Sequence, residues 1–281
     1  MDVRQVLKKA GFLTKKSMGQ NFLFDAHILD RIVSDAGVTG EDTVLEIGPG
    51  AGTLTRRLSA AAKRVVAVEL DRELISVLDE TLADCDNVTV IPGDFTLLDL
   101  PRFYEEHLRG PFRVAANLPY NVANRIIMML LESGLPVLSL TVLVQREVAL
   151  RMAAGPGTPD YGALSCFIQY YARPALLTRV PPGAFYPPPK VVSQVVRLDV
   201  RPAEVAVKDE SLLFAVIRAG FAMRRKTLLN NLMQAFALKR ETAERALRDA
   251  GLPAAVRGEA LSLAQFGAVS DALTALGLSG D

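Results

Sequence analysis

The stretch Glu46-Ile47-Gly48-Pro49-Gly50-Ala51-Gly52 lies where a predicted strand, Thr43–Gly48, turns into a helix that begins near Thr53. Glycines at such a turn let the backbone bend tightly and approach a bound ligand without a Cβ in between. Seventeen residues past Gly52, at the end of the next predicted strand, Glu69 can accept hydrogen bonds from both hydroxyls of an adenosine ribose. The pattern predicts a nucleoside site and, taken alone, suits NAD as well as S-adenosylmethionine.

Two details favour S-adenosylmethionine. The three glycines, Gly48, Gly50 and Gly52, are spaced G-x-G-x-G with an acid two residues ahead, rather than the G-x-G-x-x-G that seats a pyrophosphate. Asp94 follows the third predicted strand, where its carboxylate can hold the adenine amino group. A Gly-Asp pair alone is more typical of an ordinary turn, but in strand order with Gly48 and Glu69 it supports the nucleoside site.

Between Asp42 and about Leu198, short apolar runs alternate with helical patterns. This predicts an α/β fold with a doubly wound, mostly parallel, seven-stranded Rossmann-like sheet. After the linker Arg201–Glu204 only helical patterns follow, so we predict a catalytic domain over residues 1–202 and a small all-helical domain over residues 203–281. The predicted elements include the strands Thr43–Gly48, Val65–Glu69, Val88–Ile91, Arg113–Asn117, Leu138–Val144 and Val191–Val200, and the helices Arg72–Ala83 and Ala123–Glu132.

The bulk composition excludes several classes of protein. The 281 residues include 32 Lys plus Arg against 31 Asp plus Glu, so any attraction for nucleic acid must be local. The two cysteines, Cys85 and Cys166, suit neither a disulfide framework nor a metal site. No apolar run approaches the roughly 18 residues of a membrane span, and no signal-peptide pattern is present. We therefore expect a soluble cytoplasmic protein with no membrane or metal partner.

Asn117-Leu118-Pro119-Tyr120 follows the fourth predicted strand, whose carboxyl end should face the same crevice as Gly48. An exocyclic adenine amine is a poor nucleophile because its lone pair is delocalised into the ring. The Asn117 side-chain carbonyl and a main-chain carbonyl near Leu118 can each accept one N–H, which frees the lone pair for in-line attack on a sulfonium methyl. Pro119 fixes the turn, and Tyr120 can stack on an extruded base. In isolation, the tetrapeptide is also typical of a turn in which Asn117 caps the next helix.

Seven segments together resemble the bacterial small-subunit (16S) ribosomal RNA adenine N6,N6-dimethyltransferases, which modify two adjacent adenosines near the 3′ end of that RNA. They follow the family's order along most of the chain: Gly19–Leu23, Glu46–Gly52, Glu69–Asp71, Gly93–Phe95, Asn117–Tyr120, Phe185–Val191 and Arg224–Thr227. The resemblance implies an S-adenosylmethionine-dependent, RNA-binding enzyme of ribosomal RNA processing and ribosome biogenesis. Its partner would be the small-subunit RNA within an assembling 30S particle, and it would act as a monomer. One departure is Val192, where the family usually has an acid.

The resemblance also implies roles for individual residues. It implies cofactor contacts at Asn21, Leu23, Gly48, Glu69, Asp94 and Asn117, to which the glycine pattern adds Gly50 and Gly52. It implies contacts to the target base at Asn117, Leu118 and Tyr120, with Phe185 as a second stacking face. The segment around Asn21 would lie over the cofactor.

Contacts to the RNA would come from local basic residues, which position the RNA without reading its sequence. The candidates are Lys15, Lys16, Arg146, Arg151, Lys190, Arg224, Arg225 and Lys226. Arg146 and Arg151 could equally form salt bridges within one helix, for instance with Glu147. We expect the helical domain, residues 203–281, to supply part of the RNA contact.

Two other functions stay open from the sequence. One is a large-subunit ribosomal RNA adenine N6-methyltransferase of the antibiotic-resistance type, although a nearly neutral chain argues mildly against binding to naked RNA. The other is a ribosome assembly factor whose binding role outweighs methylation, although the intact Asn117, Tyr120, Glu69 and Asp94 argue against lost activity. A dehydrogenase is disfavoured, because no pattern offers an acid or base for hydride transfer.

Overall fold

The computed structural model of the protein describes Val6 and residues 20–280. Within residues 20–280 the strands are β1 (Phe22–Leu23), β2 (Thr43–Ile47), β3 (Arg64–Glu69), β4 (Val88–Pro92), β5 (Phe112–Asn117), β6 (Val137–Gln145), β7 (Ala172–Val180), β8 (Phe185–Tyr186) and β9 (Ser193–Val200). The α-helices in that range are α1 (Ala26–Ala36), α2 (Thr53–Ala61), α3 (Arg72–Thr81), α4 (Leu100–Phe103), α5 (Ala123–Glu132), α6 (Arg146–Ala153), α7 (Ala163–Tyr171), α8 (Glu210–Ala222), α9 (Leu228–Ala235), α10 (Arg240–Asp249) and α11 (Leu263–Ala275).

Seven strands form one sheet in the order β4-β3-β2-β5-β6-β9-β7. β2 pairs in parallel with β3 and β5, β3 pairs in parallel with β4, and β5 with β6, whereas β9 is antiparallel to β6. The predicted doubly wound, mostly parallel, seven-stranded sheet is confirmed. The chain proceeds outward from β2 to β4 and then returns to β5 on the other side of β2. The strand order therefore reverses between β2 and β5, and ligands bind at the carboxyl ends of strands at such a point.

The sheet is held by aliphatic packing on its faces. α1 buries Leu29 and Ile32, and α2 buries Leu58, in one cluster with Val44 of β2 and Val65 of β3. Leu29 and Ile32 are three residues apart, so they lie on one face of α1. Because both faces of a doubly wound sheet are covered, its central strands are almost wholly apolar, which is why the sequence patterns predict them.

The edge strand β7 is not predicted from the sequence. It contains Arg173, Pro174 and Arg179, and few of its residues are fully buried. β7 lies at one edge of the sheet beside β9, where a proline, which cannot donate a ladder hydrogen bond, is tolerated. An edge strand of this kind lacks the continuous apolar run of the central strands.

The chain separates into two compact units that differ from the predicted division. Among the described residues, the first unit comprises those up to 149 together with 173–201, and the second comprises residues 150–172 and 202–280. Residues 150–172 group with the second unit, whereas the predicted boundary after residue 202 places them with the sheet. Tyr161 Oη donates to the Leu261 carbonyl at 2.8 Å, and Tyr170 Oη donates to Glu210 at 3.1 Å, which joins this segment to the second unit. These partners are distant in the chain, so no local pattern indicates them.

The second unit is helical in its C-terminal part, as predicted, and has its own core. α8 buries Leu213 and Val216, and these pack in one cluster with Leu232 of α9, Leu247 of α10 and Phe266 of α11. None of the helices in the described residues is long and apolar enough to cross a bilayer.

Candidate active site

A cleft opens at the carboxyl ends of β2, β3, β4 and β5, where the strand order reverses. The open space along the cleft, including solvent at its mouth, is about 1150 Å³. The predicted cofactor and base positions that line it are Asn21, Leu23, Gly48, Gly50, Glu69, Asp94, Asn117, Leu118, Pro119 and Tyr120. The structure therefore brings residues from the N-terminal segment and from four strand ends into one place, whereas Gly52 and Phe185 lie elsewhere.

The glycine loop joins β2 to α2 along the cleft. Gly50 has a φ of +60°, which favours glycine. A Cβ at this position would lie 3.0 Å from the ring of Phe22, so only a residue without a side chain can approach the ring this closely. Gly52 has a φ of +81°, and a Cβ there would lie 3.0 Å from Thr81 of α3. Gly52, a predicted cofactor contact, is buried where α2 packs against α3 and is not among the residues that line the cleft.

Glu69 ends β3 inside the cleft and is only 5 % exposed. Its Oε2 accepts a hydrogen bond from Gly50 N at 3.0 Å, and its Oε1 accepts one from Asp71 N at 2.8 Å. Burial raises the pKa of Glu69, and these two N–H donors oppose that rise. Two fixed backbone donors orient the carboxylate, and its remaining lone pairs can accept from a pair of neighbouring hydroxyls.

Glu46 of β2 also lines the cleft and is 2 % exposed. Its Oε2 has no hydrogen-bond partner within the described part of the chain. Desolvation raises the pKa of Glu46 to about 8, and the nearby charge of Glu69 adds to the rise. Glu46 therefore holds a proton at neutral pH. The sequence predicts no role for Glu46, whose only signal is its place two residues ahead of the glycines.

We expect that the free energy of unfolding depends less on pH in Glu46→Gln than in the wild-type protein. The pKa of Glu46 is about 8 in the folded protein, against 4.5 for a free glutamate, so between these values only the unfolded chain releases the proton. Wild-type stability should therefore fall as the pH rises, by up to ~1.4 kcal/mol per pH unit from this group. The variant stays neutral and should not show this fall. Urea unfolding of both proteins at about pH 5.5 and about pH 7.5 measures it; parallel changes in the two proteins would contradict a protonated Glu46.

Asp94 follows β4 and lines the cleft. Its Oδ1 accepts hydrogen bonds from the N–H and the hydroxyl of Thr96, at 2.9 and 2.8 Å. This is the cap of an ordinary turn, as the Gly-Asp pair alone suggests. The same carboxyl group borders the cleft, and its Oδ2 takes no part in the turn, so the turn and a ligand contact are compatible.

Asn117 is the last residue of β5 and lines the cleft. Its Nδ2 donates to the carbonyl of Asn21 at 3.0 Å. Because the amide nitrogen is bound there, the side-chain oxygen is directed to the other side of the amide group, where an amine can donate to it. Val122 occupies the N-cap position of α5 and no side chain caps that helix, so the alternative in which Asn117 caps it is wrong.

Tyr120 lies beside Asn117 in the cleft wall. Its Oη is 2.7 Å from Oγ of Ser193, the fully buried first residue of β9. Burial raises the pKa of Tyr120, so the hydroxyl stays neutral and its bond to Ser193 holds the ring in place. Ser193 is not predicted from the sequence, because it lies 73 positions away from Tyr120 along the chain.

Phe185, the predicted second stacking face, lies in the core and is not among the residues that line the cleft. It is 5 % exposed, lies opposite Leu23 in the β1–β8 pair, and belongs to the core cluster with Val180 and Ala184. Alternate residues of a strand point to opposite faces, so the next residue, Tyr186, is the exposed aromatic of β8, at 63 %.

The predicted RNA contacts are distributed over both units. Lys15 and Lys16 lie outside the described residues. The exposed candidates are Arg146 and Lys190 in the first unit, and Arg151, Arg224, Arg225 and Lys226 in the second. Arg224 is bound within its own unit, since its Nε lies 3.4 Å from Glu259 Oε2 and its Nη2 donates to the Pro159 carbonyl. Among the residues that the structure describes, neither Arg146 nor Arg151 pairs with Glu147.

Across Val6 and residues 20–280, no three His, Cys, Asp or Glu side chains are placed to hold a metal ion together. Cys85 and Cys166 are both free.

Comparison with known proteins agrees with this arrangement. The model of the family described as "Ribosomal RNA adenine dimethylase" matches residues 11–271. The ribosomal RNA small subunit methyltransferase A of Lachnoclostridium phytofermentans is 47 % identical over 272 residues, which cover 95 % of this chain and 94 % of that protein.

Two solved structures are similar to this one over nearly the whole chain. The 23S rRNA methyltransferase ErmE is 26 % identical, with a TM-score of 0.69 over 90 % of this chain and 100 % of that one. A dimethyladenosine transferase from Plasmodium falciparum, 24 % identical, shares the fold with a TM-score of 0.76 over 92 % of this chain and 100 % of that one. With a family match that spans most of the sequence, the chain belongs to the ribosomal RNA adenine dimethylase family of methyltransferases.

Proposed function

We propose that the protein transfers methyl groups from S-adenosylmethionine to N6 of two adjacent adenosines near the 3′ end of small-subunit ribosomal RNA. The product would be N6,N6-dimethyladenosine, made by a monomeric enzyme in the cytoplasm on a 30S particle that is still assembling. The observation that carries the proposal is the amide of Asn117, whose nitrogen is bound to Asn21 and whose oxygen is left for an amine, in the same cleft as Glu69.

The similarity to known proteins supports the small subunit over the large one. The relative named for the small subunit is 47 % identical, whereas the enzyme named for 23S rRNA is 26 % identical. The large-subunit alternative is therefore the weaker proposal for this chain.

The cleft fits S-adenosylmethionine. Glu69 presents an oriented carboxylate for the ribose hydroxyls, and Asp94 borders the cleft with one oxygen outside its turn. An ammonium group bound beside Glu46 would favour the ionised form of this carboxyl group, and its buried Oε2, which has no partner among the described residues, would then accept from the ammonium. When bound, S-adenosylmethionine supplies an electrophilic methyl carbon on a sulfonium sulfur.

The residues of the chain would activate and hold the adenine. The Asn117 oxygen and a main-chain carbonyl at Leu118 would each accept one N–H of the exocyclic amine. The nitrogen lone pair would then no longer be delocalised into the ring and would point at the methyl group. The nitrogen becomes acidic as it forms its new bond, and its proton can pass to water without a strong base. Tyr120, held by Ser193, would stack on the base.

We expect Tyr120→Ala to lower kcat/KM for the RNA about 10- to 100-fold, because stacking of a base on an aromatic ring contributes ~1–3 kcal/mol. Tyr120→Phe keeps the ring and loses only the hydrogen bond to Ser193, so it should cost less than about tenfold. Steady-state methylation of undermethylated small subunits compares the two variants. Equal losses would show that the hydroxyl, and not the ring, carries the effect.

The direct test of the proposed function is to locate the transferred methyl groups. The protein is incubated with tritiated S-adenosylmethionine and small subunits that lack these modifications, and the labelled nucleotides are mapped. Label in two adjacent adenosines near the 3′ end, recovered as N6,N6-dimethyladenosine, is the expected result. Label in large-subunit RNA, or in a single monomethylated adenosine, would overturn it.

A further inference from the structure

The strand β1 pairs with β8 along one edge, and side chains of the cleft bind its other edge. Phe24 N, just after β1, donates to the Ala184 carbonyl at 3.1 Å on the β8 side. Successive residues of a strand direct their carbonyls to opposite edges, so Asn21 and Leu23 share the edge away from β8. Asn117 Nδ2 donates to the Asn21 carbonyl at 3.0 Å, and Thr53 Oγ1 donates to the Leu23 carbonyl at 2.8 Å.

Gln20 anchors this segment to the loop that carries the ribose carboxylate. Its Nε2 donates to Asp71 Oδ2 at 2.9 Å. Asp71 is 3 % exposed, its Oδ1 caps α3 by accepting from Glu73 N, and its own N–H donates to Glu69 at 2.8 Å. One buried aspartate therefore connects Gln20, the start of α3 and Glu69.

We propose that Gln20 is a positioning residue for methyl transfer. Its hydrogen bond to Asp71 holds the Asn21 carbonyl in place, and that carbonyl keeps the Asn117 amide turned with its oxygen toward the target amine. Gln20 acts through Asn21 and Asn117 rather than on the reacting atoms. The inference rests on the proposed function and adds to it how the amide is oriented.

The two methyl transfers should respond differently when this anchor is lost. An unmodified adenine amine has two N–H groups and can use both acceptors, at Asn117 and Leu118. The monomethylated amine has one N–H, so a single acceptor must orient it. A misplaced Asn117 amide should therefore slow the second transfer more than the first, and monomethyladenosine should accumulate.

The test is a double-mutant cycle on the two hydrogen-bonding side chains. Gln20→Glu places a second carboxylate against Asp71, and we expect kcat to fall about 10- to 100-fold with the Kd for S-adenosylmethionine changed less than about threefold. In the double variant Gln20→Glu/Asp71→Asn, the amide at position 71 donates to the carboxylate at position 20. The hydrogen bond between the two side chains is therefore restored with its direction reversed. Asn still caps α3, and kcat should return to within about fivefold of the wild type.

Thr178→Val is the matched control. Thr178 Oγ1 donates to Asp35 Oδ2 at 2.7 Å, so this variant also deletes a side-chain bond within the first unit, between residues that do not line the cleft. It should lower the unfolding midpoint without changing kcat or the ratio of mono- to dimethyladenosine. Gln20→Leu serves in place of Gln20→Glu if the latter does not fold.

Three outcomes would overturn the positioning role. The first is that folded Gln20 variants keep the wild-type kcat and the wild-type ratio of mono- to dimethyladenosine. The second is that kcat does not recover in the double variant. The third is that affinity for S-adenosylmethionine falls by as large a factor as kcat. Failure of the proposed function would be seen separately, as wild-type protein that forms no dimethyladenosine in small-subunit RNA.

Discussion

Asn117→Ala should lower the rate of methyl transfer about 10²- to 10³-fold while weakening the binding of S-adenosylmethionine only modestly. The variant removes the oxygen that accepts from the target amine, and a preorganised hydrogen-bonding group of this kind contributes about 10²- to 10³-fold to kcat. The bond from Asn117 Nδ2 to Asn21 is lost as well, so the N-terminal segment loses one of its contacts to the cleft. Single-turnover methylation measures the first effect, and calorimetric titration with the donor measures the second.

Asn124→Ala is the control for this variant. Asn124 is an exposed residue of α5, the helix that follows the Asn117–Tyr120 segment. Its replacement should leave turnover unchanged. Normal turnover by Asn117→Ala would show that the amide is not the group that orients the amine.

Glu69→Ala should raise the Kd for S-adenosylmethionine about 100-fold, since two hydrogen bonds to a charged group contribute ~1.5 kcal/mol or more each. Glu69→Gln should also weaken binding. Gly50 N and Asp71 N each donate to one carboxylate oxygen, so the NH₂ group of a glutamine would face one of these donors. Titration calorimetry of both variants, with exposed Glu147→Ala as the control, measures the change.

If Glu69→Ala bound S-adenosylmethionine with nearly the wild-type Kd, the assignment of Glu69 to the ribose hydroxyls would be contradicted. The same variant also tests the ribosome assembly alternative. If a protein that cannot bind the donor still supports assembly of the small subunit, binding rather than methylation is its main role.

The sequence predicts those parts of the site that follow from strand order. Glu69 and Asn117 each end a buried parallel strand, and the carboxyl ends of such strands meet at one edge of the sheet. Their position in the cleft was therefore predictable without the structure. The edge strand β7 was not, because its residues are only partly buried and include Pro174.

The contacts between distant residues could not be predicted in this way. Gln20 and Asp71 are 51 positions apart, and Tyr120 and Ser193 are 73 apart. Phe185 was predicted to stack on the base because it lies in a segment that resembles the family. The alternation of side chains along β8 instead directs it into the core. Pairings of this kind depend on tertiary packing, which leaves no periodic signal in the chain.

We infer that the Asn117 amide and the Tyr120 ring hold an adenine so that its N6 points at the methyl group of S-adenosylmethionine. The most direct measurement is a crystal structure of the protein with S-adenosylmethionine bound. We predict that the methyl carbon faces the space between the Asn117 oxygen and the Tyr120 ring, with Asn117 Nδ2 still bound to the Asn21 carbonyl. A methyl group directed away from Asn117, or separated from it by packed side chains, would contradict the account.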